Sequence, residues 1–228
     1  MYILHIANKN YSSWSLRPWV LMKTLGIPFE DVMHPFPGLD AHAEFKTFSP
    51  SALVPLLIDG DVKVWDSLAI TEYLAERHDG VWPADPVARA FARSAAAEMH
   101  SGFSTLRSIC TMNCGIRVEL PEIGPKLGRD IDRFTELWRE GLSRFGGPFL
   151  AGETFTAADA FFCPVAFRAQ TYGLPLDEIS AAYAQRLRDL PAMREWYDAA
   201  LRETWREPGH EDEARSSGEW TADYRAVA

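Results

Sequence analysis

Residues 2–33 read YILHIANKNYSSWSLRPWVLMKTLGIPFEDVM. The run YILHIA at 2–7 is apolar and of strand length. SLRPWVLMKTL at 15–25 places Leu16, Trp19, Val20 and Leu25 at helical spacing, and Gly26 follows as a stop signal. FEDVM at 29–33 alternates as a second strand. This order predicts a parallel strand pair joined by a right-handed helical crossover. Working outward, residues 34–40 hold two prolines and a glycine and read as a loop, and a short helix fits 40–48. VPLLIDGDVKVW at 54–65 reads as strand, Asp-Gly turn, strand, and SLAITEYLAERH at 67–78 as a helix. Residues 1–79 therefore form one α/β unit in the order βαβαββα.

A boundary follows. DGVWPADP at 79–86 is linker chemistry, with the linker set at 80–86. Residues 87–228 read as an all-α domain, with helices near 86–113, 122–145, 156–171, 180–189 and 191–204. The polar tail after about residue 206 is read as mobile, with Trp220 and Tyr224 as anchors for its end. The chain has 228 residues, enough to bury a core without staples. It carries 23 Lys and Arg against 32 Asp and Glu, net −9, which argues against nucleic acid as a partner. Three cysteines, Cys110, Cys114 and Cys163, fit a reducing compartment rather than a disulfide framework. Cys110 and Cys114 are four apart, which would put them on one helix face as core or groove lining. They lack metal-ligand spacing, so no metal is expected. No run reaches the roughly 20 apolar residues of a membrane span and the N-terminus lacks a signal-peptide pattern, so the expected location is cytoplasmic, with no membrane partner.

Four short constellations carry chemistry. The first is Tyr11-Ser12-Ser13-Trp14-Ser15-Leu16-Arg17-Pro18, between strand one and helix one. With Ser15 as N-cap, Pro18 falls at the third helical position, among the unbonded donors of the first turn. Ser12, Ser13 and Trp14 then precede a helix N-terminus, where free N–H groups and the dipole favour an anion. The plain alternative is that these serines only cap the helix. The second is Val54-Pro55 at the mouth of a strand. A cis bond there presents Val54's backbone to a peptide-like ligand, although statistics favour trans. The third is Asp66-Ser67. Ser67 reads as an N-cap, and the pair can grip a carboxylate and an ammonium, or simply start a helix. The fourth is Phe155-Thr156-Ala157-Ala158-Asp159, a capping box with Phe155 and Ala160 as its hydrophobic staple, assigned to folding.

In order and spacing these segments resemble the cytosolic glutathione S-transferases over roughly residues 1–205. SSWSLR is similar to the SSCSxR signature of the serine-type zeta class, which includes maleylacetoacetate isomerases. VPLL, WDSLAITEYL, the WPADP linker and FTAAD resemble the family's cis-proline loop, its Gln/Glu-Ser helix start (with Asp66 in place of Gln or Glu), its linker and its Ser/Thr-x-x-Asp capping box. The resemblance implies an α/β thioredoxin-like N-terminal domain, an all-α C-terminal helical bundle and a homodimer. Glutathione is implied as co-substrate. Ser12 is then the partner of its thiolate, with Tyr11, Ser13 and Ser15 as alternative hydroxyls. Val54 and Pro55 clamp the cysteinyl backbone, Asp66 and Ser67 hold the γ-glutamyl end, and Lys46 or His42 meets the glycyl carboxylate. Trp14 stands where the zeta class has cysteine. It would line an electrophile pocket with Phe103 and Arg107, and with Met99 and Met112, from the helix at 86–113. Arg107 is a candidate for an anionic substrate. The implied reaction is attack by glutathione sulfur on an electrophilic carbon. Two alternatives stand beside it: a glutathione-dependent cis-trans isomerase of maleylacetoacetate-like diacids, and a non-catalytic glutathione-binding protein.

Overall fold

A computed structural model of the chain describes residues 1–36 and 41–225, so residues 37–40 of the expected loop lie outside the described residues. β1 (Tyr2–Ala7) runs parallel to β2 (Phe29–His34), with Tyr2 opposite Phe29 and Ala7 opposite His34, and α1 (Ser13–Thr24) makes the crossover. After α2 (Ala41–Lys46), β3 (Leu56–Asp59) and β4 (Val62–Val64) form a hairpin that pairs antiparallel to β1. The sheet order is β2-β1-β3-β4, followed by α3 (Ser67–Ala75). Leu4, Ile6 and Leu57 share a core with Leu16, Val20, Ile70 and Leu74, which is why the apolar spacing of α1 and α3 was readable.

Two local starts differ from the sequence reading. α1 begins at Ser13 with Ser12 as its N-cap, so Pro18 lies inside the helix rather than in its first turn. Proline has no N–H, which leaves the Trp14 carbonyl without its usual helical donor. At α3 the N-cap is Asp66, whose Oδ1 accepts from Leu68 N at 2.9 Å, and Ser67 is the first helical residue. A carboxylate at that position accepts the same bond as a serine hydroxyl.

The second half is largely helical: α4 (Pro86–Ser101), α5 (Ser104–Ile109), α6 (Pro125–Phe145), α7 (Ala157–Tyr172), α8 (Glu178–Asp189), α9 (Pro191–Arg202) and α10 (Pro208–Ser217). It also holds β5 (Ile116–Glu119) paired antiparallel with β6 (Glu219–Asp223), which corrects the all-helical expectation. The long helix expected over 86–113 is broken at Gly102-Phe103. A Cβ at Gly102 would lie 2.8 Å from the Glu98 carbonyl oxygen, and Phe103 adopts a left-handed φ of 54°. Cys110 therefore ends α5 and Cys114 lies beyond it, so the two thiols do not share a helix face. Nor is the tail free: α10 packs back on the body and β6 pairs across more than 100 residues. Trp220 faces Val118, and Tyr224 N donates to Gly115 O at 2.8 Å. Among the described residues no helix is long and apolar enough to cross a membrane.

α7 is buried along almost its whole length and forms the spine of this half. Its capping box is present: Asp159 Oδ2 accepts from Thr156 N at 2.9 Å. Asp159 Oδ1 also accepts from Leu150 N at 2.9 Å and from the Tyr183 hydroxyl at 2.7 Å, so one buried carboxylate ties a loop and two helices together.

Candidate functional site

The β1–α1 junction opens into a cleft of about 420 Å³ between the two halves. Ser12, Trp14 and Val54 line it from the first half, and Arg107, Arg168 and His210 from the second. That size suits a small-molecule ligand, and a position between domains is where such sites commonly form.

The four hydroxyls at the junction have different commitments. Tyr11's O–H donates to Glu211 Oε1 at 2.6 Å and accepts from Arg225 at 3.2 Å, and burial raises its pKa further. Ser13 Oγ accepts from Arg168 Nη2 at 3.2 Å. Ser15 is fully buried and its Oγ accepts from Ala7 N at 3.3 Å. Ser12 Oγ donates to Ser15 Oγ at 2.7 Å, its one hydrogen bond among the described residues, and faces the cleft. The N–H groups of Ser12 and Ser13 are bonded to the Asn8 and Tyr11 carbonyls. Among the described residues, the first-turn donors without an acceptor are therefore those of Trp14 and Ser15, earlier in the chain than a helix capped at Ser15 would leave them.

The remaining expected residues divide. Val54 lines the cleft, and the Val54–Pro55 bond is cis, against the statistical expectation. Ser67 is buried and, among the described residues, its Oγ has no hydrogen-bond partner. Asp66 Oδ2 pairs with His100 Nε2 at 3.1 Å, linking the start of α3 to α4. Lys46 does not line the cleft: its ammonium donates to Pro50 O at 2.7 Å, and like His42 it is exposed on α2. Phe103 is also outside. The break that ends α4 turns it into the core, where it meets Phe134 edge-on at 6.4 Å. Met99 joins that core, whereas Met112 reaches the cleft.

The strongest electrostatic feature was not read as a group from the sequence. Arg17 is 1% exposed, and among the described residues its Nε and Nη1 have no hydrogen-bond partner. Its guanidinium lies 4.1 Å over the Trp14 ring, and Arg107 approaches the same ring at 5.2 Å. Arg168, 4% exposed, donates to Cys110 O at 2.6 Å and to Ser13, and its Nε has no partner. Burial, reinforced by mutual repulsion with Arg168 and Arg107, pulls Arg17 down to about 9, and burial pulls Arg168 down to about 10. Among the described residues neither has an ion-pair partner, so stacking and neutral oxygens carry the cost of burying them. Arg168 had a signal: it is the lone charge in the apolar run FFCPVAFRAQ. His210 had none, because only tertiary contact brings it to the cleft. Burial pushes the Cys110 thiol up to about 12 and raises Cys114 and Cys163 as well, so none is a ready nucleophile.

Comparison with known proteins agrees with this geometry. The family model for the glutathione S-transferase N-terminal domain matches residues 11–77, and that for the C-terminal domain matches 117–199. A probable maleylacetoacetate isomerase from Vibrio cholerae is 29% identical over 167 residues, covering 68% of this chain and 75% of the relative. A zeta-class glutathione S-transferase from Euphorbia esula is 29% identical over 157 residues, covering 67% and 70%. In structure, a glutathione transferase homolog from Burkholderia with bound glutathione superposes with a TM-score of 0.63 at 21% identity, covering 87% of this chain and 97% of that one. With both domains matched in order around the cleft, the chain belongs to the glutathione S-transferase family.

Proposed function

We propose that the cleft binds glutathione with its sulfur at Ser12, ionises it, and delivers the thiolate to a small anionic electrophile. The observation that carries this is the freedom of Ser12. Of the four hydroxyls it alone faces the cleft without a charged or backbone partner. With the ligand bound, the Ser12 hydroxyl turns its hydrogen from Ser15 to the sulfur. A hydrogen bond to a charged acceptor contributes about 1.5–3 kcal/mol. At about 1.36 kcal/mol per pKa unit, this lowers a thiol from about 8.5 by roughly 1–2 units. Val54's backbone and the Asp66-Ser67 corner are assigned to the peptide portion of the ligand. The unpartnered Ser67 hydroxyl supports a carboxylate there. The same reading includes a homodimer, and a reducing cytoplasm that fits three free, buried cysteines.

Ser12→Ala is expected to raise the bound thiol's pKa by roughly 1–2 units and to cut turnover at pH 6.5 about 10-fold or more. Titrating thiolate absorbance in the presence of the protein measures the first quantity, and an unchanged curve rejects Ser12.

A second reading, cis-trans isomerisation of an unsaturated diacid, uses the same thiolate: sulfur adds to the double bond, the new single bond rotates, and sulfur leaves again. The buried guanidinium of Arg168 in the cleft wall favours an acidic substrate in either reaction. Comparing a chlorinated nitroaromatic with a cis-diacid decides between them. Arg168→Gln is expected to raise KM for the acidic substrate roughly 10- to 100-fold, as loss of a charged hydrogen bond implies. KM for the neutral aromatic should stay within about twofold of wild type, provided Ser12 is undisturbed. Equal rises for both substrates reject a carboxylate at Arg168.

A further inference from the structure

The C-terminal segment beyond residue 199, outside both family matches, supplies a titratable group to the cleft. Glu207 caps α10: its Oε2 accepts from His210 N at 2.6 Å and also meets His210 Nδ1 at 2.7 Å. The imidazole is stacked on Tyr11 at 5.0 Å between ring centroids and lies against Phe36 at 4.7 Å. Tyr11 immediately precedes Ser12, and Tyr11, Ser12 and His210 all line the cleft. In the neutral imidazole whose Nδ1–H is directed at this carboxylate, Nε2 carries the lone pair, and among the described residues it has no hydrogen-bond partner. An imidazole fixed at one nitrogen by a carboxylate, with its other nitrogen free at a reactive site, is the arrangement of a general base.

We propose that His210 Nε2 is the proton acceptor for the glutathione thiol and that Glu207 is its positioning partner. The assignment rests on glutathione binding at Ser12. In the step, the S–H bond breaks and an N–H bond forms at Nε2. Sulfur keeps the electron pair and accepts the Ser12 hydroxyl hydrogen bond. The imidazolium is balanced by Glu207 and passes its proton to water before the next turnover. Ser12 then sets how much thiolate exists at equilibrium, and His210 sets how fast it forms. Placing the base on α10 also makes it depend on how that helix is docked, which distinguishes it from groups on α1.

Rapid mixing of glutathione with the full-length protein at pH 6.5, followed by thiolate absorbance, tests this. His210→Ala is expected to slow thiolate formation about 100-fold, at the lower end of what a positioned base contributes. Equilibrium glutathione affinity should stay within about twofold, because Ser12 is untouched. Free imidazole in the buffer should restore a measurable part of the rate. Glu207→Gln keeps the helix cap and the imidazole but replaces the charged partner by a neutral one, and should slow formation several-fold. A wild-type rate in His210→Ala, or a slow rate that imidazole does not restore and that comes with lost affinity, overturns the proposal. Wild-type protein that binds no glutathione overturns the Ser12 assignment as well, which separates the two failures.

Discussion

Arg225→Met is expected to undock the C-terminal segment and cost roughly 3–5 kcal/mol, the range for stripping one partner from a buried ion pair. Arg225 and Glu211 are 2% and 5% exposed at their side chains and are directly paired. The second guanidinium nitrogen bonds Glu211 Oε2 at 2.9 Å and Asp223 Oδ2 at 2.7 Å. Glu211 in turn accepts from Tyr11 and, at 3.2 Å, from Asn113 Nδ2. The arginine stem fills the space over Gly115, where a Cβ would lie 2.1 Å from Arg225 Cγ. Removing Arg225 leaves the Glu211 carboxylate buried with only neutral donors and a distant Arg206 at 3.7 Å. The single variant Glu211→Leu should also loosen the segment but cost less, because Arg225 keeps the Asp223 carboxylate as its partner. The double variant, which strands neither charge, should be less harmful than the sum of the two singles. Hydrogen exchange over residues 204–225 is the measurement, and wild-type protection in both single variants rejects the network as the clasp. Thiolate formation should slow in the same variants, because α10 carries His210. Burial alone would raise both carboxylates, yet Arg225 holds Glu211 below, and Asp223 well below, the usual range. Their folded-state pKa values are depressed, so this stabilisation is complete at neutral pH. It is lost as pH falls through the depressed values, below the ordinary range near 4.

What was legible in the sequence follows the range of the interactions involved. α1, β2, the β3–β4 hairpin and α3 are set by contacts within a few tens of residues, and their periodicity and turn residues carried them. The Thr156-Asp159 box is a four-residue motif and was read intact. The break at Gly102-Phe103 was hidden because helical periodicity continues across it, and that break removed Phe103 from the expected pocket. β5 and β6 are four and five residues long and meaningful only as a pair, so neither is visible alone. The same holds for the cleft. Ser12, Val54, Trp14 and Arg107 were placed through motif and order, whereas Lys46 was assigned by charge alone and turns to Pro50. Arg17 was inside a quoted motif, but its burial without a counter-charge is a three-dimensional fact. Asp66 took the cap that Ser67 was expected to fill, because the two are adjacent and sequence cannot choose the starting residue of a helix to within one position.

Asp159→Ala is expected to destabilise the whole chain by roughly 3–5 kcal/mol, since it orphans several buried donors that each cost about 1–3 kcal/mol when unsatisfied. Those donors are the Leu150 and Thr156 N–H groups and the Tyr183 hydroxyl, and Asp159 itself is fully buried. The alanine cannot accept any of these bonds, and Asp159 and Tyr183 are both at 0% exposure. For a chain of this size each kcal/mol moves Tm by about 2–4 °C, so a drop of roughly 10 °C is expected. Asp159→Asn separates hydrogen bonding from charge. Its carbonyl can keep the Leu150 and Tyr183 bonds, but its amide presents hydrogens to the Thr156 N–H, so the loss should be intermediate. Burial raises the Asp159 pKa despite these donors, so part of the cost of holding the carboxylate charged is already present in the wild type. An acid with a raised folded-state pKa disfavours the folded state increasingly as pH rises through that range, which should leave Asp159→Asn closer to wild type at neutral than at acid pH. Thermal melts of the three proteins measure all of this. An alanine variant within about 1 kcal/mol of wild type would mean that α7 needs no anchor and that packing alone sets the spine on which Arg168 is carried to the cleft.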